Sequence, residues 1–207
     1  YLIGVEYLDA FQFIAWNNQH PIFSDRRVRQ AMTCMMDRQE MATELLFGLA
    51  AVVEGPINRL SPEYNDTLKA YVYDPDRAQR LLSEAGWADS DGDGVLDKVI
   101  DGKLRPFDFE MLLPSGDQVR KDVALVLQQE LRDIGVVCRL RDMDGTSFIE
   151  RHNNHDYEAL DSGLTKGNAA FPPDWHLNWH SSQLQGQGMT LAGFINAEVD
   201  HLLEAYR

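Results

Sequence analysis

The stretch Phe107-Asp108-Phe109-Glu110-Met111-Leu112-Leu113, followed by Asp117 to Ile134 and then Val136-Val137-Cys138-Arg139-Leu140, decides the fold class. Phe107, Phe109, Met111 and Leu113 alternate with Asp108 and Glu110, the period-two pattern of a half-buried strand. Val119, Val123, Val126, Leu127, Leu131 and Ile134 then recur at helical spacing, and Gly135 supplies a left-handed stop. A second strand begins at Val136. Strand, long helix, strand is the unit of an α/β layer fold.

Working outward, the same alternation of elements continues on both sides. Phe11 to Trp16 is predicted as a strand ending at Asn17-Asn18. Ser24 or Asp25 can cap a helix whose apolar face is Val28, Ala31, Met32 and Met35. Asp37-Arg38-Gln39-Glu40 is a capping box, so a second helix is expected to run to Phe47 and stop at Gly48. Glu54 to Tyr73, with Gly55, Pro56, Asn58, Pro62 and Asn65, lacks periodicity and reads as an irregular loop. Asp74-Pro75 opens a third helix with Ala78, Leu81, Leu82 and Ala85 on one face. Asp89 to Gly102 is acidic and punctuated by glycine, read as a solvated turn before the Phe107 strand. Thr146 to Asn153 is a short helix and Tyr157 to Leu164 a strand. Thr165 to Pro173 is a loop, Trp175 to Trp179 a short aromatic helix, and Asn196 caps a last helix with Val199, Leu202, Leu203 and Tyr206 facing inward.

Composition narrows the function. The chain has 207 residues, 44% hydrophobic and 25% charged, the profile of an ordinary globular protein rather than a disordered or fibrous one. Its formal net charge of −14 opposes phosphate backbones, so no nucleic-acid partner is expected. No window approaches the roughly 18 uninterrupted apolar residues of a membrane span. The chain opens at Tyr1, directly in a strand-like run, which reads as a piece of something longer. Cys34 and Cys138 are too few for a disulfide framework; two buried thiols are expected, with pairing left open. No Gly-rich phosphate loop, G-x-S-x-G or Cys/His dyad is present, so neither a cofactor nor an enzymatic activity is expected.

Several stretches, in order along nearly the whole chain, resemble one family. Phe23-Ser24-Asp25-Arg26-Arg27-Val28-Arg29-Gln30-Ala31 resembles the F-x-D-x-R-V-R-Q-A signature of the extracellular solute-binding proteins of bacterial peptide ABC importers, the oligopeptide- and dipeptide-binding family 5. Asp37-Arg38, Phe47-Gly48, Tyr73-Asp74-Pro75, Leu81-Leu82 with Ala85-Gly86-Trp87, Asp91-Gly92-Asp93-Gly94 and Trp179-His180-Ser181-Ser182 extend the likeness. It implies a type II periplasmic-binding-protein-like α/β lobe, a mixed sheet flanked by helices. Residues 1–207 would form the second of two lobes that close on an extended peptide. The implied partners are a peptide or other small solute, the other lobe, and ABC permease subunits. The implied location is periplasmic or extracellular, with a lipid anchor on a missing N-terminus open.

The resemblance also marks candidate ligand-binding positions. In the best-known members the place corresponding to Ser162-Gly163-Leu164-Thr165-Lys166-Gly167-Asn168 is similar to G-W-x-x-D, whose Asp pairs with the peptide amino terminus. Here Leu164 and Gly167 stand at the Trp and Asp positions. Losing a desolvated charge partner for an ammonium costs on the order of 2–5 kcal/mol. Asp161 or Asp174 could substitute, the ligand could be a blocked or longer peptide, or it could be a nickel chelate, sugar or antibiotic. Asp174 can equally cap the Trp175 helix. Ser115-Gly116-Asp117 precedes the longest helix, where free amides could receive a carboxylate or simply be capped. Asn17 could face the cleft or make a turn.

Two metal patterns complete the set. Asp89, Asp91, Asp93 and Asp97 resemble the first nine positions of an EF-hand loop, but Ile100 stands where the bidentate Glu belongs, so calcium and a plain acidic turn both stay open. His176 and His180 share a helical face at zinc-binding spacing without the Glu of a zinc protease, leaving a metal-dependent hydrolase as the rival reading.

Overall fold

The computed structural model of the chain describes residues 10–57, 59, 63–165, 175–184, 190 and 192–206. Four strands form one mixed sheet in the order β1-β6-β4-β5: β1 (Ala10–Trp16), β4 (Asp108–Pro114), β5 (Val137–Met143) and β6 (Ala159–Thr165). β4 pairs in parallel with both β5 and β6, whereas β1 runs antiparallel to β6, with Ala10 opposite Thr165 and Trp16 opposite Ala159. Parallel neighbours need crossovers, and α4 (Gln118–Asp133) links β4 to β5. The consequence for function is geometric. The carboxyl ends of β4, β5 and β6 and the amino end of β1 share one edge of the sheet.

Both faces of the sheet are covered. On one lie α1 (Arg26–Cys34), α3 (Pro75–Glu84) and α4, burying Val28, Met32, Leu82, Leu127 and Leu131 against Trp16, Phe109, Met111 and Leu113. α5 (Gly145–Asn153) sets Phe148 against Ala15, Leu112 and Leu160 on the other. Met111 and Leu113 belong to the first cluster and Leu112 to the second, the alternation that a strand's pleat imposes. Phe23, Phe107, Phe109, Trp16 and Trp87 pack ring to ring, with Phe23 and Phe109 edge-to-face at 5.1 Å. Cys34 and Cys138 are buried, free thiols, and burial pushes Cys138 up to about 12, which leaves it unreactive.

The capping signals are met by atoms. Asp25, Asp37, Asp74, Asp117 and Asp144 each accept a first-turn amide of α1, α2 (Arg38–Glu44), α3, α4 and α5. Asn196 does the same for α7 (Ala197–Tyr206). Four expectations need correction. α2 ends at Glu44 rather than Phe47, because the left-handed turn begins at Phe47 itself (φ 53°) and the Gly48 amide closes back on the Ala42 carbonyl. The acidic segment contains a hairpin, β2 (Asp97–Ile100) with β3 (Lys103–Pro106), turned by Asp101-Gly102, both at positive φ. Val119 and Val126 are exposed, so the buried stripe of α4 is the narrower set Val123, Ala124, Leu127 and Leu131. α7 buries no residue, and Leu202 and Tyr206 face outward instead of into a core. α6 (Trp175–Trp179) forms where the aromatic helix was expected, followed by a 3-10 turn at Ser181–Leu184.

Gly135 is the corner on which the acidic segment is hung. It sits at φ 77°, its carbonyl accepts the Leu96 amide at 2.8 Å, and a Cβ there would stand 2.9 Å from the Gly94 carbonyl oxygen. Gly48 has a similar φ but open space around it. Gly135→Ala should therefore destabilise the fold by about 1–3 kcal/mol in urea unfolding. Gly48→Ala should cost clearly less; equal losses would contradict the close-approach argument.

Candidate functional site

Open α/β sheets receive ligands outside the carboxyl ends of their parallel strands. At that edge β4 ends at Pro114, and the Ser115 amide donates to the Met143 carbonyl at 2.7 Å, tying the ends of β4 and β5 together. Gly116 turns the chain at φ 92°, and Asp117 caps α4 by accepting the Arg120 amide at 3.1 Å. The first turn of α4 therefore points its amino end over this edge. β6 runs beside it, and the backbones of Leu164 and Thr165 pair with Phe11 and Ala10. The structure brings Ser115, Gly116, Asp117, Leu164 and Thr165 to one edge. Gly167, Asn168 and Asp174 lie outside the described residues.

Asn17 is not among them. It follows β1 at the opposite edge, where its amide group donates to the carbonyls of Tyr157 (2.8 Å) and His155 (3.3 Å) and its Oδ1 accepts the Gln19 amide. Every polar atom of the side chain is used in the turn, so Asn17 has the turn role. A cavity of about 460 Å³ lies at that opposite edge, with Asn17, His20, Glu110, Arg151, Tyr157 and Glu158 in its wall. Its charges are spent on one another: Arg151 pairs with Glu110 and Asp156, and His20 stands 3.5 Å from Glu158. The position of the cavity and that of the α4 edge thus disagree. The α4 edge is the better candidate because the carboxyl ends of parallel strands and the amino terminus of the longest helix converge there.

The dominant feature of the α4 edge is a charged cluster. Asp161 on β6 has no exposure at all, yet its carboxylate accepts from Arg120 Nη1 (2.9 Å) and Gln12 Nε2 (2.8 Å). Arg120 Nε also reaches Asp117 Oδ2 at 3.1 Å. Burial raises the Asp161 carboxyl to about 6, and Arg120 and Gln12 oppose that rise. Asp161 is therefore engaged and enclosed, and does not stand in directly for an amino-terminal partner at Gly167. Gln12 and Arg120 were not singled out in the sequence. One signal was available: Asp161 is an ionisable residue in the middle of a predicted strand, and such a group, once buried, demands a partner.

The two metal patterns separate. Carboxylate oxygens of Asp89, Asp91 and Asp97 lie within 4.8 Å of one another, while Asp93 turns aside to accept the Val95 amide. Asp97 is held by Ser90, and Asp89 accepts the amides of Gly92 and Gly94, so these groups shape the loop. His176 and His180 stack with ring centroids 4.0 Å apart and Glu204 approaches His180 Nε2 at 3.5 Å, but among the described residues these groups do not bring three ligand atoms within 4.8 Å of one another.

Comparison with known proteins gives a concordant picture. The profile described as "Bacterial extracellular solute-binding proteins, family 5 Middle" matches residues 7–186. The oligopeptide-binding protein AppA of Bacillus subtilis is 34% identical over 200 residues, covering 94% of this chain and 35% of that protein. The structure of AppA from Bacillus subtilis in complex with a nonapeptide superposes with a TM-score of 0.86 at 32% identity, over 97% of this chain and 39% of that one. NikZ from Campylobacter jejuni in complex with Ni(L-His) gives 0.81 at 29% identity, over 96% and 39%. The chain thus spans little more than a third of the length of these relatives.

The raised carboxyl of Asp161 has a signed consequence. Between the ordinary 3.8 and about 6 the folded protein holds a proton that the unfolded chain releases. The stability this group contributes is complete below the lower value and is lost as pH rises through the upper one. Urea unfolding at pH 7 and pH 5 should show wild type gaining more stability on acidification than Asp161→Asn. An equal change in both proteins would contradict the assignment.

Proposed function

The chain belongs to the bacterial extracellular solute-binding proteins of family 5, and from that premise we propose that it forms one lobe of the substrate-binding component of an ABC importer. The ligand is an oligopeptide captured outside the membrane and handed to permease subunits. The observation that carries this reading is the edge where the carboxyl ends of β4 and β6, the first turn of α4 and the Arg120 cluster meet, on a fold that matches part of a peptide-bound relative over nearly the whole of this chain.

The proposed mechanism is capture by closure. A lobe offering one wall of a site binds an extended peptide with main-chain hydrogen bonds, and the second wall comes from the other lobe of a longer protein. Ligand bridging both walls stabilises the closed form by its differential affinity for it. No helix among the described residues is long and apolar enough to cross a membrane. The role is non-catalytic: at this edge Asp117, Arg120 and Asp161 are tied to one another, and among the described residues no nucleophile is hydrogen-bonded to a base there. Periplasmic or extracellular placement follows from the family role.

A second reading has one observation behind it. NikZ, at 29% identity, is described in complex with Ni(L-His), so the same scaffold accommodates a non-peptide solute in a relative. Mass spectrometry of the ligand extracted from the full-length parent protein, purified without refolding, separates the two. Peptides of mixed sequence and similar length are the expected result. A single non-peptide species or a metal chelate would replace the peptide reading with the second.

A further inference from the structure

The cluster at the α4 edge leaves part of a guanidinium unused. Arg120 donates from Nε to Asp117 and from Nη1 to Asp161, while its Nη2 has no acceptor among the described residues. That nitrogen lies against the backbone of β6 at Gly163, where a Cβ would stand 2.6 Å from Nη2 and 3.2 Å from the Phe11 carbonyl oxygen. Only glycine at 163 lets the guanidinium rest on the strand. Three elements of the site, β1 through Gln12, β6 through Asp161 and Gly163, and α4 through its cap and first turn, thus fix one donor at the strand ends. A guanidinium held by two carboxylates has lost most of its rotameric freedom before any ligand arrives, which is what makes a donor selective.

We propose that Arg120 is a specificity-determining residue of this edge, donating from Nη2 to a main-chain carbonyl oxygen of the bound peptide, with Asp117 and Asp161 as its positioning residues. The proposal rests on the peptide-capture reading. Charge selects the acceptor. Asp117 and Asp161 outnumber the single guanidinium, so no surplus positive charge remains to favour a carboxylate, and Asp117 would repel one. A neutral carbonyl accepts from Nη2 without that repulsion. It also occurs at every residue of a peptide, so the contact registers the backbone and is indifferent to side chains.

The test uses the full-length parent protein and a synthetic nonapeptide copied from its most abundant co-purified species. The peptide is made in versions in which each carbonyl in turn becomes a thiocarbonyl, a weaker acceptor. Titration calorimetry compares wild type, Arg120→Gln and Arg120→Gln/Asp161→Asn; the double variant removes both charges, so no buried carboxylate is left unpaired. Both variants should bind the parent peptide roughly 10- to 100-fold more weakly than wild type. One thio-substitution should weaken wild-type binding several-fold yet leave the variants unchanged, the coupling expected of a direct contact and not of a general loss of structure. An identical thio-scan in wild type and variants would overturn the proposal alone. So would a wild-type advantage that vanishes when the peptide is amidated at its carboxyl terminus, since that assigns Arg120 to a carboxylate. A wild-type protein that binds no peptide would overturn the capture reading, and this contact with it.

Discussion

A carboxylate without solvent is the constraint around which this molecule is arranged. Asp161 sits in a strand with no exposed surface, and an unpaired charge there would cost several kcal/mol. Its partner cannot come from its own strand. Arg120 reaches it from the first turn of α4, Gln12 from the neighbouring strand, and Asp117 steadies Arg120 from the cap. One buried group thereby fixes the relation of α4 to β6 and of β6 to β1, at the edge where parallel strands end. The pair contributes little net stability by the usual balance of desolvation against attraction. Its value lies in holding one geometry, and that geometry is a rigid donor at the candidate site.

Much of this was legible in residues because it is local. The Asp caps before α1 to α4 and the Pro at the start of α3 each act within a turn of the chain, so short-range spacing reveals them. The alternation of Phe109, Met111 and Leu113 against Glu110 likewise announces β4. The failures have physical reasons too. The Asp101-Gly102 hairpin was hidden by the acidic residues around it, although a two-residue Asp-Gly turn is a strong signal. Leu202 and Tyr206 carry a helical apolar pattern that meets no core here, because periodicity states which residues share a face and not what covers it.

The candidate site was less legible than the fold. Ser115 to Asp117 and Leu164 to Thr165 are far apart in sequence, and only the parallel pairing of β4 with β6 makes them neighbours. Asn17 looked equivalent by its place at a strand end, but β1 runs against β6, so its end belongs to the other edge. Strand direction, which single-sequence patterns do not carry, separates the ends at the candidate edge from the turn-making ones. The same applies to Arg120: a basic residue in the first turn of a helix is disfavoured by the dipole, and it is kept there by the two carboxylates it touches.

The central claim is that ligand is held at the α4 edge. Hydrogen exchange on the full-length parent protein, with its ligand and after the ligand is removed, tests it most directly. Slowed exchange confined to the amides of residues 115–120 and 160–165 is the result expected here. Protection at residues 17–21 and 155–158 instead, with the α4 edge unchanged, would place the ligand in the opposite cavity and contradict the account.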